Sequence, residues 1–303
     1  MRAFAACTLP IVTIVALGIA LSQSRLDVVD VPTEVRSTAN ATVALIKERG
    51  NFSLDDQGLL VMARRPVCDD DLRCLQELRR IEALYVTNTR VSNEGLKIVR
   101  RMESLELLCL KESRITDAGL VHLAGMPRLK TLVLDGNEIC GDGLAALAEL
   151  PRLRELSLEN TPVTDAAMKH LAGLSELREL YLSNTWISDS GVKHLAELKK
   201  LRTLDMRATE ITDEGLAYVG SLINLVDLDI SFNAITDDGL KHLSELMKLK
   251  ALRLREMPIT DAGLEHLRPL LRLERLCIEK THTTQSDTDW LLATAARRPA
   301  PGP

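Results

Sequence analysis

Five of the six histidines occupy one position of a repeated motif, which reads ITDAGLVHLAGM at 115–126. These histidines are His122, His170, His194, His242 and His266. Imidazole is a common metal ligand, so stacked copies could form a ladder of metal sites. Other copies fill the same position with Ala146, Tyr218 or Trp290, and no cysteine or carboxylate shares it. A position that tolerates alanine and tyrosine serves packing, so we predict no metal site and no cofactor.

The acidic and small residues of the motif are explained by helix formation. A Thr or Ser followed by Asp is typical of a helix N-cap, where the hydroxyl accepts a free backbone N–H and the carboxylate favours the positive helix end. The capping residues are Thr116, Thr164, Ser188, Thr212, Thr236 and Thr260. We expect the glycine two residues after each Asp to allow a close approach between helix and sheet. Because no G-x-S-x-G, H-E-x-x-H, C-x-x-C or phosphate loop is present, we predict no catalytic residue and no enzyme activity.

The motif belongs to a repeat of 24 residues that continues without a gap. Its units begin at Ile81, Leu105, Leu129, Leu153, Leu177, Leu201, Leu225 and Leu249, with a degenerate unit from Gln57 and a partial one from Leu273. Each unit opens with L-x-x-L-x-L, which predicts a short strand, and continues with apolar residues spaced for one helix face. A single unit cannot bury its apolar side chains, so the units must stack.

The pattern L-x-x-L-x-L-x-x-T-x-[IV]-T-D-x-G-L-x-x-L-x-x-L resembles the leucine-rich-repeat family over about residues 57–296. It is most similar to arrays of exported bacterial proteins, and its unit is similar to F-box-associated and ribonuclease-inhibitor-type repeats. The resemblance implies an α/β fold, a right-handed solenoid in the form of a horseshoe arc. Its parallel sheet would line the concave side and its helices the convex side. It also implies a non-catalytic role in binding a protein or peptide.

The ends of the chain differ from the repeats. Residues 3–21 carry no charge and predict that 1–22 is either a signal peptide or an N-terminal membrane anchor, so we expect export, followed by tethering or by secretion or a periplasmic location. The remaining segments are predicted as a spacer at 23–36, an N-terminal cap of a helix and hairpin at 37–63, repeats at 57–272, a partial repeat and cap at 273–296, and a disordered tail at 297–303. Cys68 and Cys74 are either a disulfide or two packing residues.

Function should lie where the units differ, which is at the outward positions of the concave strands. These positions are mildly apolar at first, acidic in the middle and basic at the end. The predicted partner-binding residues are Tyr85, Asp135, Glu155, Glu159, Glu179, Tyr181, Asp205, Arg207, Asp227, Asp229, Phe232, Arg253, Arg255 and Arg275. Such a face would select an extended protein or peptide of opposite charge order.

Composition limits the partners further. A formal net charge of −5 and a pI near 5.8 argue against nucleic acid, which requires a basic face. We expect a monomer that meets the membrane only through its N-terminal segment. Two alternatives remain open: a structural spacer of the cell envelope with no single partner, and an effector or ubiquitin-ligase-type adaptor. The adaptor would need a recruitment segment, and no F-box-like segment precedes the repeats.

Overall fold

The computed structural model describes residues 52–54, 60–63, 66–78 and 80–284, which belong to one compact unit. The predicted N-terminal segment, the spacer, the helix of the N-terminal cap and the C-terminal tail lie outside the described residues, as does Trp290. Within the described part of the chain, no helix is both long enough and apolar enough to cross a membrane.

The strands among the described residues form one open sheet of eleven strands in chain order. The first pair, β1 (Phe52–Leu54) and β2 (Leu60–Ala63), is antiparallel, and every later pair is parallel. The remaining strands are β3 (Ala83–Tyr85), β4 (Leu107–Cys109), β5 (Thr131–Val133), β6 (Glu155–Ser157), β7 (Glu179–Tyr181), β8 (Thr203–Asp205), β9 (Asp227–Asp229), β10 (Ala251–Arg253) and β11 (Arg275–Cys277). From β3 onward each residue pairs with the residue 24 positions later, as in Leu156 and Leu180. The repeat period therefore sets the register of the sheet.

Short helices follow the strands and lie on the convex side. The α-helices are α1 (Asp69–Leu72), α2 (Asn93–Val99), α3 (Asp117–Leu120), α4 (Asp165–Leu171), α5 (Asp189–Val192), α6 (Asp213–Val219), α7 (Asp237–Leu240) and α8 (Asp261–Glu265). Single 3₁₀ segments are Arg73–Glu77, Val121–Leu123, Asp142–Glu149, Lys193–Glu197 and Lys241–Leu243. The central strand leucines, such as Leu132, Leu204 and Leu252, are fully buried beneath these helices. The predicted α/β leucine-rich-repeat solenoid is confirmed.

The Thr-Asp pairs occupy the predicted N-cap positions, but their main hydrogen bonds cross between units. Asp189 accepts hydrogen bonds from the backbone N–H of Thr212 at 2.8 Å and from its hydroxyl at 2.6 Å. The Thr212 hydroxyl also accepts a longer bond of 3.4 Å from the N–H of Glu214. The same carboxylate contacts recur between Asp165 and Ser188. Each Asp thus ties the start of its own helix to the start of the next, which helix capping alone does not explain.

The recurring glycine makes room for this Asp, so the expected helix–sheet approach is not its tightest contact. A Cβ on Gly215 would lie 2.3 Å from Oδ1 of Asp189, whereas its next contacts are at 3.3 Å or more. We call this arrangement the Asp–Thr–Gly staple: an Asp, the capping Thr or Ser of the next unit, and the Gly three residues after that cap. The other staples are Asp69–Ser92–Gly95, Asp165–Ser188–Gly191, Asp213–Thr236–Gly239 and Asp237–Thr260–Gly263.

One unit departs from the staple in a way that supports this explanation. The unit that starts at Leu129 carries Gly141 where the Asp should be. The following unit carries Ala167 where the Gly should be, and a Cβ on Gly141 would lie 2.0 Å from the Cβ of Ala167. Where no carboxylate enters, the alanine is accommodated. Asp and Gly are therefore paired across units for a steric reason.

The cysteines and the repeat histidines of the described residues differ in burial and in their contacts. Cys68 and Cys74 are not joined by a disulfide, and Cys74 donates a hydrogen bond to the backbone oxygen of Asp71 at 2.9 Å. His122, His170, His194 and His242 are half-buried, while His266 is exposed. Residues 52–54, 60–63, 66–78 and 80–284 contain no cluster of three His, Cys, Asp or Glu side chains that could hold a metal ion.

Candidate binding face

Two outward columns of side chains run along the concave face of the sheet. In the first, Glu155 lies beside Glu179, followed by Thr203 and Asp227 on the next strands. The second column contains Ser157, Tyr181, Asp205, Asp229 and Arg253 in strand order. Neighbouring strands lie about 4.8 Å apart, so side chains in one column are in contact range. The sheet therefore brings most of the predicted partner-binding residues onto one surface.

The carboxylates at the centre of this face are crowded and only partly solvated. Burial, followed by the charge of Glu179, raises the pKa of Glu155 to about 7. Burial likewise raises the pKa of Asp205 to about 7, with a contribution from Asp229. Loss of solvation also raises the pKa of Glu159, with Asp135 as the next cause. These groups would gain most from a cationic partner, because a positive charge would offset both the cost of their lost solvation and their mutual repulsion.

Asp135 and Asp229 are buried, unlike most of the predicted contact residues, and Asp135 is the more enclosed of the two. Its side chain is only 1% exposed. It accepts hydrogen bonds from the hydroxyl of Ser157 at 2.5 Å and from the backbone N–H of Glu159 at 3.2 Å. Lys111 lies 3.8 Å away. Asp135 thus joins two units beneath the face and offers no surface of its own to a partner.

The basic end of the face is largely neutralised by the acids beside it. Arg253 donates to both carboxylate oxygens of Asp227, at 2.6 and 3.4 Å, and lies 3.9 Å from Asp229. Arg275 also lies 3.7 Å from Asp227. Arg255 pairs with Glu279 at 2.6 Å. The predicted succession of an acidic block and a basic block is therefore interrupted by an ion-pair network, and Glu155, Glu159, Glu179 and Asp205 remain as the acidic centre.

The aromatic residues of the predicted set differ in their exposure to solvent. Tyr181 donates a hydrogen bond to Glu179 at 2.9 Å and is half-buried, as is Tyr85 at the other end of the face. Phe232 follows strand β9 and is 47% exposed with a φ of 61°. The residue at this turn position has a positive φ in each described unit from Asn88 to Lys280, so the conformation belongs to the repeat and does not mark a site. Trp186 is 66% exposed at the same edge of the sheet.

Comparison with known proteins identifies this architecture. Two family models described as leucine-rich repeat match residues 151–211 and 221–244. The structure is similar to that of internalin C2 of Listeria monocytogenes, at 26% sequence identity and a TM-score of 0.55, over 84% of this chain and 100% of that one. The chain is a leucine-rich-repeat protein.

A second internalin of Listeria monocytogenes, InlF, is similar to this leucine-rich-repeat protein in fold. The identity is 18% and the TM-score 0.51, over 89% of this chain and 97% of that one. None of the curated proteins matches the sequence. The comparisons therefore establish the repeat and its solenoid, and the function has to be argued from the surface.

The features that sequence reasoning missed on this face all involve neighbouring units. Arg253 and Asp227 are 26 residues apart, which is one repeat plus two positions. Asp135 and Ser157 are 22 residues apart, which is one repeat minus two positions. Scanning for opposite charges and polar partners at these separations would have found both pairs in advance.

Proposed function

We propose that this leucine-rich-repeat protein is a non-catalytic scaffold that binds a protein or peptide on its concave face. The observation that carries the proposal is the acidic centre formed by Glu155, Glu159, Glu179 and Asp205. Like charges on adjacent strands destabilise a sheet. A scaffold that needs only to fold has no reason to place them there, whereas a scaffold for a basic partner does.

The partner that best fits this face is an extended segment with Lys or Arg side chains. The strands offer rows of carboxylates at a regular spacing of about 4.8 Å, and partial burial strengthens each ion pair that a cation would form. Phe232 and Trp186 add exposed aromatic surface at the edge, which suits them as anchors for an apolar side chain of the partner. We further propose that the protein acts as a monomer after export, on the basis of the apolar segment at residues 3–21.

The test is capture of proteins from a cell-envelope extract by the immobilised full chain. In the test variant, Glu155→Gln, Glu179→Gln and Asp205→Asn remove three acidic groups from the face while keeping side-chain shape, and capture is measured at pH 8, above the pKa of about 7 of Glu155 and Asp205. The control variant carries Glu197→Gln, Glu214→Gln and Glu245→Gln, which remove the same number of charges from exposed convex positions.

Loss of a captured protein by the test variant, with retention by the control, is the expected result. Equal capture by wild type and both variants would rule out the acidic centre as a binding site. If wild type captures nothing from extracts in which the protein is normally found, the envelope-spacer alternative would replace the proposal.

A further inference from the structure

A second charged surface lies at the edge of the array where the chain enters each strand, away from the concave face. We call it the strand-start edge and define it by the last two residues of each unit and the second residue of the next. Its cations are Arg128, Lys130, Arg152, Arg154, Arg178, Lys199, Lys200, Arg202, Lys248, Lys250 and Arg272. At roughly 4.8 Å for each strand, this series extends over about 30 Å.

Backbone hydrogen bonds hold these residues in one continuous row. The N–H of Arg154 donates to the carbonyl of Lys130 at 2.8 Å, and Arg178 donates to Arg154 at 2.7 Å. Arg202 in turn donates to Arg178 at 2.7 Å, and Val226 donates to Arg202 at the same distance. The row is therefore as rigid as the sheet edge from which it projects.

Most of the cations in the row are available to an external partner. Lys130, Lys200 and Lys250 pair with Glu106, Glu176 and Glu274 respectively. Arg152, Arg154, Arg178, Lys199 and Arg202 form no ion pair with any residue that the structure describes. Glu176 lies among them, and its pKa is lowered mainly by the hydrogen bond from Lys200, with smaller contributions from Arg154 and Arg178.

The same edge carries exposed aliphatic side chains where the arginines end. Ile223, Met247 and Leu271 occupy one position in three consecutive units and are 57%, 48% and 49% exposed. The earlier units place Glu103, Pro127, Pro151, Ser175 or Lys199 there. Lys248 and Arg272 directly follow two of the aliphatic residues. Core packing does not account for three apolar side chains that point into water next to a basic row.

We propose that the strand-start edge docks onto the surface of an anionic lipid bilayer. Clustered Arg and Lys next to exposed aliphatic side chains are the combination that the headgroup region favours, because anionic headgroups attract the cations while the apolar groups enter the acyl boundary. A soluble anionic polymer would satisfy the arginines alone and would leave Ile223, Met247 and Leu271 in water. The docked edge keeps the concave face free, since the two surfaces use different residues.

The experiment measures binding of the full chain to vesicles of phosphatidylcholine alone and of phosphatidylcholine mixed with phosphatidylglycerol. Residues 3–21 carry no charge and would favour both vesicle types, so the ratio of the two affinities reports the contribution of the cations. The contribution of the aliphatic side chains is measured as the affinity for the anionic vesicles relative to wild type. The charge variant is Arg152→Ser, Arg154→Ser and Arg202→Ser, three exposed positions. Its control is Lys169→Ser, Lys193→Ser and Lys241→Ser, which removes three exposed cations from the convex side. The apolar variant is Ile223→Ser, Met247→Ser and Leu271→Ser.

Wild type is expected to prefer the anionic vesicles. The charge variant should lose about 100-fold of this affinity, at roughly one kcal/mol for each cation near an anionic surface. The apolar variant should lose about tenfold or more, and the convex control should bind as wild type does. The proposal is overturned if wild type shows no preference, or if the convex control loses as much as the charge variant. It is also overturned if the apolar variant binds normally while soluble polyphosphate competes with the vesicles, because the edge would then be a polymer site.

Discussion

Replacement of Gly215 by Ala tests whether the Asp–Thr–Gly staple holds neighbouring units together. The added Cβ would lie 2.3 Å from Oδ1 of Asp189 and would push this carboxylate away from Thr212. Two hydrogen bonds to a charged acceptor would be lost, which costs about 3 kcal/mol in the free energy of unfolding. Alanine regains about 1 kcal/mol of helix propensity within α6, so the expected net loss is about 2 kcal/mol.

The decisive measurement is the double mutant. Asp189→Ala alone removes the same two hydrogen bonds and should cost about 3 kcal/mol. If the loss of stability in Gly215→Ala arises from displacement of Asp189, the double mutant loses the two hydrogen bonds only once. The double mutant should then be destabilised by about 2 kcal/mol, whereas additive effects would give about 5 kcal/mol.

Urea denaturation of the full chain, followed by far-UV circular dichroism, gives all three free energies. Gly173→Ala is the matched control, because a Cβ there would meet only the Cβ of Ala148, at 3.9 Å. This variant should unfold at the same urea concentration as wild type or at a slightly higher one. Two results would refute the idea that these glycines leave room for the Asp of the preceding unit. One is additive losses of unfolding free energy in the double mutant, and the other is a loss in Gly173→Ala as large as that in Gly215→Ala.

Three further predictions concern the face and its supports. Because the pKa values of Glu155 and Asp205 are raised to about 7, their protonated forms favour the folded state, and this stability is present at low pH and lost as pH rises from about 4 to 7. Urea midpoints should therefore fall between pH 5 and pH 8 by an amount equivalent to about 3 kcal/mol, and Glu155→Gln with Asp205→Asn should flatten that dependence. Phe232→Asn should raise the free energy of unfolding by about 1 kcal/mol, since asparagine tolerates a φ of 61°. The same variant should capture less of the partner, and an unchanged yield of captured partner would exclude Phe232 as an anchor. Asn233→Ala should cost about 3 kcal/mol by thermal or urea unfolding, because the amide donates to the carbonyls of Met206, Ile230 and Ser231. Asn233→Thr should lower the free energy of unfolding by less than Asn233→Ala does, since Thr185 occupies the equivalent position of its own unit and its hydroxyl donates to the carbonyl of Leu182. Equal losses in the two variants would contradict this reasoning.

The sequence by itself determined the repeat, the strands and the capped helix starts of this protein. A period of 24 residues without a gap places Leu156 over Leu180 and Leu204 in turn, and their burial follows because stacking is the only way for each unit to cover its apolar side chains.

The contacts of the polar residues could not be read from the repeat and are known from the folded chain. Asp189 was predicted to favour the start of its own helix, but its carboxylate binds Thr212 of the next unit, and Gly215 accommodates it. Asp135 was predicted to face a partner, but it is buried by Ser157 and Glu159 from the adjacent unit. The physical reason is common to both: a repeat pattern specifies which positions align between units, while side-chain length and direction decide whether a carboxylate reaches the neighbouring unit or the solvent.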